Sequence, residues 1–280
     1  MIRPKQRDLF AVIGNPVAHS LSPVMMEAAF AELGFSAVYL ALEVDSISED
    51  LDILWNFGFR GLSVTLPFKE AAFLFAQFTE ETARRIRAVN TLRRHENGWE
   101  GTNTDWIGSV RALEQVSPLR GKRVLVLGAG GAARAVVYGL IRSGAAVSIS
   151  NRTPERGEAL AQAFRCGFVP LAELEKDHSG ESFDVVVQCT SAGLLGDEDP
   201  QVVPDSFFLP GMIVMDTIYT PQWTTFLKKA RNAGCSTVPG SEMLLHQGAM
   251  QLEWWLGREK LEPAVIGAMR DALSKALADG

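Results

Sequence analysis

The stretch "RVLVLGAGGAARAVVYGL", residues 123–140, carries the clearest structural signal in the chain. It reads as a strand running into a helix, with Gly128, Gly130 and Ala133 at the join in the form G-x-G-x-x-A. The glycines permit a tight turn and close approach of a pyrophosphate. The N–H groups and dipole at the start of the helix then bind the phosphates. An ordinary glycine-rich turn is the alternative, but strand, glycine spacing and helix all agree on a dinucleotide site. Gly128, Ala129, Gly130, Gly131, Ala132 and Ala133 are therefore candidate cofactor contacts.

The end of the next strand, "SISNRTPER", selects the dinucleotide. An NAD site needs a carboxylate about 20 residues beyond the glycines to hold the ribose 2′-hydroxyl. Here the chain offers Asn151, Arg152, Thr153 and Arg156 instead. The two guanidinium groups can pair a 2′-phosphate through charge-assisted hydrogen bonds, and Asn151 or Thr153 can add neutral ones, so NADP is favoured. Thr153 also has the makings of a helix cap ahead of Pro154, and one loop can serve both purposes. Thr190, at the end of "FDVVVQCT", and Gly240, at the start of the C-terminal helical tail, complete the candidate cofactor shell.

On either side of this segment, strand-like apolar runs alternate with helix-period stretches, the pattern of an α/β fold with a parallel sheet. Toward the N-terminus "LFAVIG" is a strand, followed by a helix with Ser22 as N-cap, Pro23 at the first position and Met25, Met26, Ala29, Phe30 and Leu33 on its apolar face. "AVYLALEV", a helix capped by Ser48, the strand "GLSVTL" and a helix opening near Lys69 come next. "AVNTLRR" and "WEGTNTD", joined by Glu96, Asn97 and Gly98, read as a hairpin. Beyond the Rossmann-type segment, "SEMLLHQGAMQLEWWLG" and "EPAVIGAMRDALSKALADG" are amphipathic helices too few to make a core alone, so they are expected to return to the first domain, with Trp254 and Trp255 packing this tail. The expected organisation is a discontinuous substrate domain, residues 1–105 and 240–280, and an NADP-binding domain, residues 106–239.

Composition excludes several classes. With 280 residues, of which 47% are hydrophobic, the chain can fill two cores. Lys and Arg number 27 against 33 Asp and Glu, a net charge of −6, and no basic stripe could neutralise a nucleic-acid backbone. No leader or membrane span is read, so a cytoplasmic protein is expected. Cys166, Cys189 and Cys235 form no C-x-x-C pair and read as reduced core thiols. His19, His95, His178 and His246 show no metal-ligand spacing, so no metal is expected.

Polar residues recur at strand ends and loops of the first domain: Ser20, Ser22, Ser63, Thr65, Lys69, Asn90, Thr91, Asn103, Thr104 and Asp105. Hydroxyls and amides with one lysine and one carboxylate suit a polyhydroxylated ligand and alcohol–ketone interconversion. A ketone reduced by hydride gains charge on its oxygen, so the site needs a proton donor there. A lysine held beside a carboxylate can supply it, and Lys69 and Asp105 fit those roles.

The segments "IGNPVAHSLSP", "SVTLPFK", "AVNTL", "TNTD", "GAGGAAR", "NRT", "DTIYTP" and "GSEMLLHQ" occur in the order and rough spacing of shikimate dehydrogenase, a family this sequence resembles over nearly its whole length. The resemblance implies NADP-dependent interconversion of 3-dehydroshikimate and shikimate on the way to aromatic amino acids, by a monomer or homodimer. It implies that Ser20 and Ser22 hold the substrate carboxylate, that Lys69 and Asp105 form the catalytic pair, and that Thr65, Asn90, Tyr219 and Gln247 complete the shell. Two departures stand out. Met26 and Glu27 replace the family's His and Asn in the first helix, and Ser63 stands where Asn is commoner, which offers a ring hydroxyl one fewer donor. A quinate or dual quinate/shikimate dehydrogenase is the near alternative. A non-catalytic NADP-binding sensor is the distant one, and the acid–base pair argues against it.

The arginines give a first prediction. NADP is expected to be preferred over NAD by at least about tenfold in kcat/KM, roughly 1.4 kcal/mol, and Arg152→Ala erodes that preference without unfolding the protein. Equal use of NAD by the wild type, measured side by side with NADP, would refute this reading of "NRTPER".

Overall fold

The computed structural model describes residues 7–176, 179–194 and 202–279. In chain order the first half comprises β1 (Asp8–Gly14), α1 (Ser22–Glu32), β2 (Ala37–Glu43), α2 (Ile47–Asn56), β3 (Phe59–Val64), α3 (Lys69–Phe75), β4 (Phe78–Thr79), α4 (Glu81–Ile86), β5 (Thr91–His95), β6 (Gly98–Thr102) and α5 (Asp105–Glu114). The second comprises β7 (Arg123–Leu127), α6 (Gly131–Arg142), β8 (Ala146–Ser150), α7 (Pro154–Phe164), β9 (Gly167–Phe168), α8 (Leu171–Leu174), β10 (Val185–Gln188), β11 (Ile213–Asp216), α9 (Thr225–Asn232), β12 (Ser236–Val238), α10 (Gly240–Leu256) and α11 (Pro263–Asp279). They form two compact units, Met1–Thr104 with Gln247–Gly280, and Asp105–His246, the division falling inside α10.

The first unit holds a six-stranded sheet in the order β2-β1-β3-β5-β6-β4. It is mixed: the strand–helix alternation gives the parallel part, and the hairpin read from "AVNTLRR" and "WEGTNTD" gives an antiparallel part. β1 runs parallel to β2 and β3, but β5 pairs antiparallel with β3 and with β6. The cause is local: only Glu96 and Asn97 separate β5 from β6, enough to reverse the chain but far too few for a crossover. Two helix starts also differ from expectation. α1 has Leu21 at its cap position, so Pro23 is its second residue, and Ser20 Oγ, from outside the helix, accepts the Ser22 N–H at 3.3 Å. α2 is capped at Ser46 and not Ser48, because Asp50 Oδ2 accepts the N–H groups of both Asp45 (3.1 Å) and Ser46 (3.0 Å) and draws the first turn back.

Alternation along the strands gives this sheet two buried faces. Ala11, Ile13, Leu62, Val64 and Leu92 form one core with Leu51, Leu54, Ala72, Ala83 and Trp99. The other face carries Phe10, Tyr39 and Gly61, which lie in register, and receives α1 and α10. Phe10 stacks near Phe30 of α1 and Trp255 of α10, with centroids 5.4 and 5.1 Å away. Trp255 Nε1 donates to Leu92 O at 2.9 Å, and Trp254 Nε1 donates to Glu80 at 2.8 Å, so both tail tryptophans are anchored on this unit. The α1 residues that depart from the family pattern have new partners. Met26 packs with Met25 against Gly248 of α10, and Glu27 Oε1 accepts the Tyr39 N–H at 2.7 Å. α11 packs along α1 through buried Val265, Met269 and Leu273.

The second unit is an all-parallel sheet in the order β9-β8-β7-β10-β11-β12, a 3-2-1-4-5-6 arrangement counted within the unit. Successive residues of its central strands enter opposite cores. Val124 and Val126 pack with Val136, Leu140 and Leu160, while Leu125 and Leu127 pack with Phe207, Phe226 and Leu227. Burial on both faces is why these strands are uninterrupted apolar runs.

Gly61 supplies a stability prediction. A Cβ there would lie 2.6 Å from Trp255 Nε1 and 2.8 Å from Phe10 Cδ1, and Trp255 is tethered by its indole hydrogen bond. Gly61→Ala is expected to cost about 1–3 kcal/mol as the tryptophan is pushed off the sheet. Urea unfolding measures this, and an unchanged midpoint would mean that α10 has slack above β3.

Candidate active site

In the second unit the cofactor fingerprint sits at the carboxyl ends of β7, β8 and β10, the edge at which open α/β sheets bind ligands. Gly128 has φ +118°, a conformation that side chains resist, and its would-be Cβ lies 3.2 Å from the Cys189 backbone and from Thr190 Cγ2. That contact brings Thr190, a cofactor candidate by sequence, against the glycine turn. Gly130 occupies the cap position of α6 and has no side chain to satisfy the first N–H groups of the helix. A Cβ on Gly130 would meet nothing within 4 Å. The uncapped N–H groups of Gly131, Ala132 and Ala133 therefore open onto clear space, the kind of helix start at which a phosphate can bind.

Past β8, Asn151 Nδ2 donates to Thr153 O at 2.8 Å and so shapes the turn. Thr153 takes the cap position of α7 with Pro154 behind it, although its hydroxyl makes no capping bond. The side chains of Arg152 and Arg156 are exposed and make no hydrogen bond or ion pair among the described residues, while the Arg156 N–H donates to Thr153 O at 3.2 Å. The donor set fits a phosphorylated ribose, since no carboxylate competes in "NRT". Gly240 has a separate reason to be glycine: a Cβ would lie 2.4 Å from Ile218 O, so α10 starts directly against the loop that carries Tyr219.

That loop is held by Asp216, at the end of β11, the first residue of "DTIYTP" and one to which the sequence assigns no role. Its Oδ1 accepts the Ile218 N–H at 3.0 Å and its Oδ2 accepts the Thr224 hydroxyl at 2.7 Å. Thr224 Oγ1 in turn accepts the Leu227 N–H and caps α9. The side chain is fully buried, and burial pushes its carboxyl up to about 7 despite the two hydrogen bonds pulling it down.

In the first unit the candidate substrate residues meet at one edge of the sheet. β3 ends at Val64, followed by Thr65; β5 begins just after Asn90; β6 ends just before Asn103 and Thr104. Asn90 is stitched between them: its carbonyl accepts the Val64 N–H at 2.8 Å and its N–H donates to Thr102 O at 3.2 Å. Its side chain donates to Thr104 Oγ1 (3.0 Å) and to Gln247 Oε1 (3.2 Å) and accepts from the Thr104 N–H (2.7 Å). Asn90 and Gln247, 157 residues apart in sequence, are thus brought together directly. Ser63 joins them through Gln251 and Tyr39, neither of which sequence reasoning singles out. Gln251 lies four residues after Gln247 on α10, and that helical spacing is the signal that could have found it.

Ser20 and Ser22 flank the start of α1, Ser22 buried and Ser20 partly exposed. Lys69 is the first residue of α3 and partly exposed, and its carbonyl accepts the Val89 N–H at 2.8 Å. Asp105 is the first residue of α5 and buried; Tyr219 is half-buried. Among the described residues no group of His, Cys, Asp or Glu could hold a metal, and no helix is long and apolar enough to cross a membrane. His178 lies outside the described residues.

These features describe a dinucleotide-dependent enzyme built from two α/β units. Comparison with known proteins narrows it. The shikimate dehydrogenase substrate-binding domain matches residues 12–92, and shikimate/quinate 5-dehydrogenase matches residues 111–199. Shikimate dehydrogenase (NADP(+)) of Syntrophobacter fumaroxidans is 54% identical, covering 99% of this chain and 97% of that protein. The crystal structure of shikimate dehydrogenase from Aquifex aeolicus matches with TM-score 0.88 at 37% identity, covering 96% of this chain and 99% of the other. That of shikimate 5-dehydrogenase from Thermus thermophilus, in complex with NADP(H) and shikimate, matches with TM-score 0.85 at 37% identity, covering 96% and 100%. This chain belongs to the shikimate dehydrogenase family.

Asp216 makes the pH dependence of stability testable. Its folded-state pKa is raised, so the folded protein keeps the proton while the unfolded chain loses it above about pH 4. The carboxyl therefore favours folding most at low pH. That advantage is lost as pH rises from about 4 to about 7, then stays constant. Asp216→Asn removes this slope, and its stability relative to wild type is expected to rise across that window by a few kcal/mol at most. Urea unfolding of both proteins at about pH 4.5 and about pH 8 measures it; an identical difference at the two pH values would refute the assignment.

Proposed function

We propose that this chain catalyses the reversible, NADP-dependent reduction of 3-dehydroshikimate to shikimate, a step of aromatic amino-acid biosynthesis. The observation that carries this reading is the pairing, in one family member, of an uncapped glycine turn followed by Arg152 and Arg156 with a buried amide and hydroxyl cluster around Asn90 and Gln247. The first suits NADP and the second a polyhydroxylated acid.

In this reading Gly128, Ala129, Gly130, Gly131, Ala132 and Ala133 cradle the pyrophosphate, with Thr190 and Gly240 beside it. Asn151, Arg152, Thr153 and Arg156 hold the ribose phosphate. When bound, NADPH supplies the hydride that reduces the ketone carbon. Lys69 delivers the proton to the ketone oxygen and takes it back in the reverse direction, and Asp105 holds the ammonium in place. The hydroxyls of Ser20 and Ser22 bind the substrate carboxylate. Ser63, Thr65, Asn90, Tyr219 and Gln247 orient the ring, and orientation lowers the barrier because hydride and proton must arrive at adjacent atoms. We further assign the substrate domain to residues 1–105 with 240–280 and the NADP domain to residues 106–239. The enzyme is placed in the cytoplasm as a monomer or homodimer that acts on a small molecule and engages neither membrane nor nucleic acid.

NADP reduction assayed with shikimate, quinate and an unrelated polyol tests the assignment, with shikimate expected to be best and quinate clearly worse. Lys69→Ala is expected to lower kcat by about 10²–10⁴ while NADP affinity stays within about twofold. Near-normal kcat in that variant would remove Lys69 from the chemistry, and efficient turnover of another compound with none of shikimate would overturn the substrate.

A further inference from the structure

Ser63 sits in β3 with 6% of its surface exposed, between Tyr39 at 3% and Gln251 at 1%. The direction of every hydrogen bond in this group follows from one fixed point. The Asn90 carbonyl can only accept, and Gln251 Nε2 lies 3.1 Å from it and 3.0 Å from Thr91 Oγ1. The amide is therefore oriented with its oxygen toward Ser63. Ser63 Oγ must donate its proton to Gln251 Oε1, at 2.8 Å, and the Tyr39 hydroxyl must donate to Ser63 Oγ, at 2.6 Å. Thr91 passes its own proton to Asn90 Oδ1 at 2.7 Å, which ties Gln251 to the asparagine that contacts Gln247.

A serine hydroxyl has one proton and two lone pairs. Here the proton and one lone pair are engaged, leaving a single acceptor. We propose that Gln251 is a positioning residue for the substrate, which fixes Ser63 as a contact that only accepts and holds Asn90 at the correct angle, so that positions 63 and 251 work as one unit. This rests on the shikimate reading above. It changes what Ser63 means: the serine is not a shortened asparagine with a water in the gap, because Gln251 already occupies its donor side. A ligand hydroxyl that donates is welcome at this point, whereas a ketone or ether oxygen would face an acceptor with no proton between them. A carboxamide at position 63 has no room beside neighbours at 2.6 and 2.8 Å unless Gln251 is shortened.

The test is a double-mutant cycle on the full-length enzyme with shikimate and NADP. Gln251→Ala is expected to raise KM for shikimate about five- to thirtyfold, with kcat within about threefold and KM for NADP unchanged. Ser63→Asn alone is expected to raise it comparably. The double variant should return to within about threefold of wild type, far below the product of the single effects. If Gln251→Ala is unstable, Gln251→Met, which keeps length but loses the amide, replaces it for the single effect with the same rise in KM expected, and the shorter Gln251→Ser replaces it in the double variant. Wild-type turnover combined with multiplicative single effects, or a KM within about twofold in the Gln251 variant, overturns this inference alone. A wild type that does not oxidise shikimate overturns the functional reading and this inference with it.

Discussion

The first unit depends on a match of spacings between α10 and β3. Four helical residues advance about 6 Å, and two residues of a strand advance about 6.6 Å, so side chains at i, i+4 and i+8 of a helix can meet alternate positions of a strand beneath them. Gln251 contacts Ser63, and Trp255 one turn later lies over Gly61, two strand residues back. Gln247 reaches Asn90 one turn earlier. One helix thus reads out the sheet at three successive points, and its register cannot slip without breaking all three.

Each of these contacts sets burial against hydrogen bonding. An amide taken out of water costs free energy unless every donor and acceptor finds a partner. Gln251 meets that condition with two donors and one acceptor placed inside the protein. The cluster that results is rigid because its donors are all committed: Tyr39, Ser63, Gln251, Thr91 and Asn90 form one chain, each fixed by the next, with one lone pair of Ser63 left to accept. Such a network suits a site that must hold several hydroxyls of a ligand in one orientation.

The second unit solves the opposite problem. Its glycine turn leaves polar groups open, with uncapped N–H groups at α6 and exposed guanidinium groups beyond β8. Asp216 in the same unit is closed, since its buried carboxyl is bonded on both oxygens and holds the loop of Tyr219.

Legible in the residues alone were the nucleotide-binding unit, the preference for a 2′-phosphate, the helix-rich tail and the kinship with shikimate dehydrogenases. These are local properties: a G-x-G-x-x-A turn, "NRT" without an acid, and the apolar period of each segment need only neighbouring residues to be read. The small departures lie in cap geometry, as at Ser22 and Ser48, where a hydroxyl or carboxylate a few residues away sets the start of the helix. The folded chain was needed to show that Ser63 gives its proton to Gln251, that Gln251 and Tyr39 both bond to Ser63, that Asp216 is buried, and that Met26 and Glu27 find partners on α10 and β2. A hydrogen bond across 188 residues leaves no trace in spacing or composition, because its energy depends on which groups the fold has removed from water.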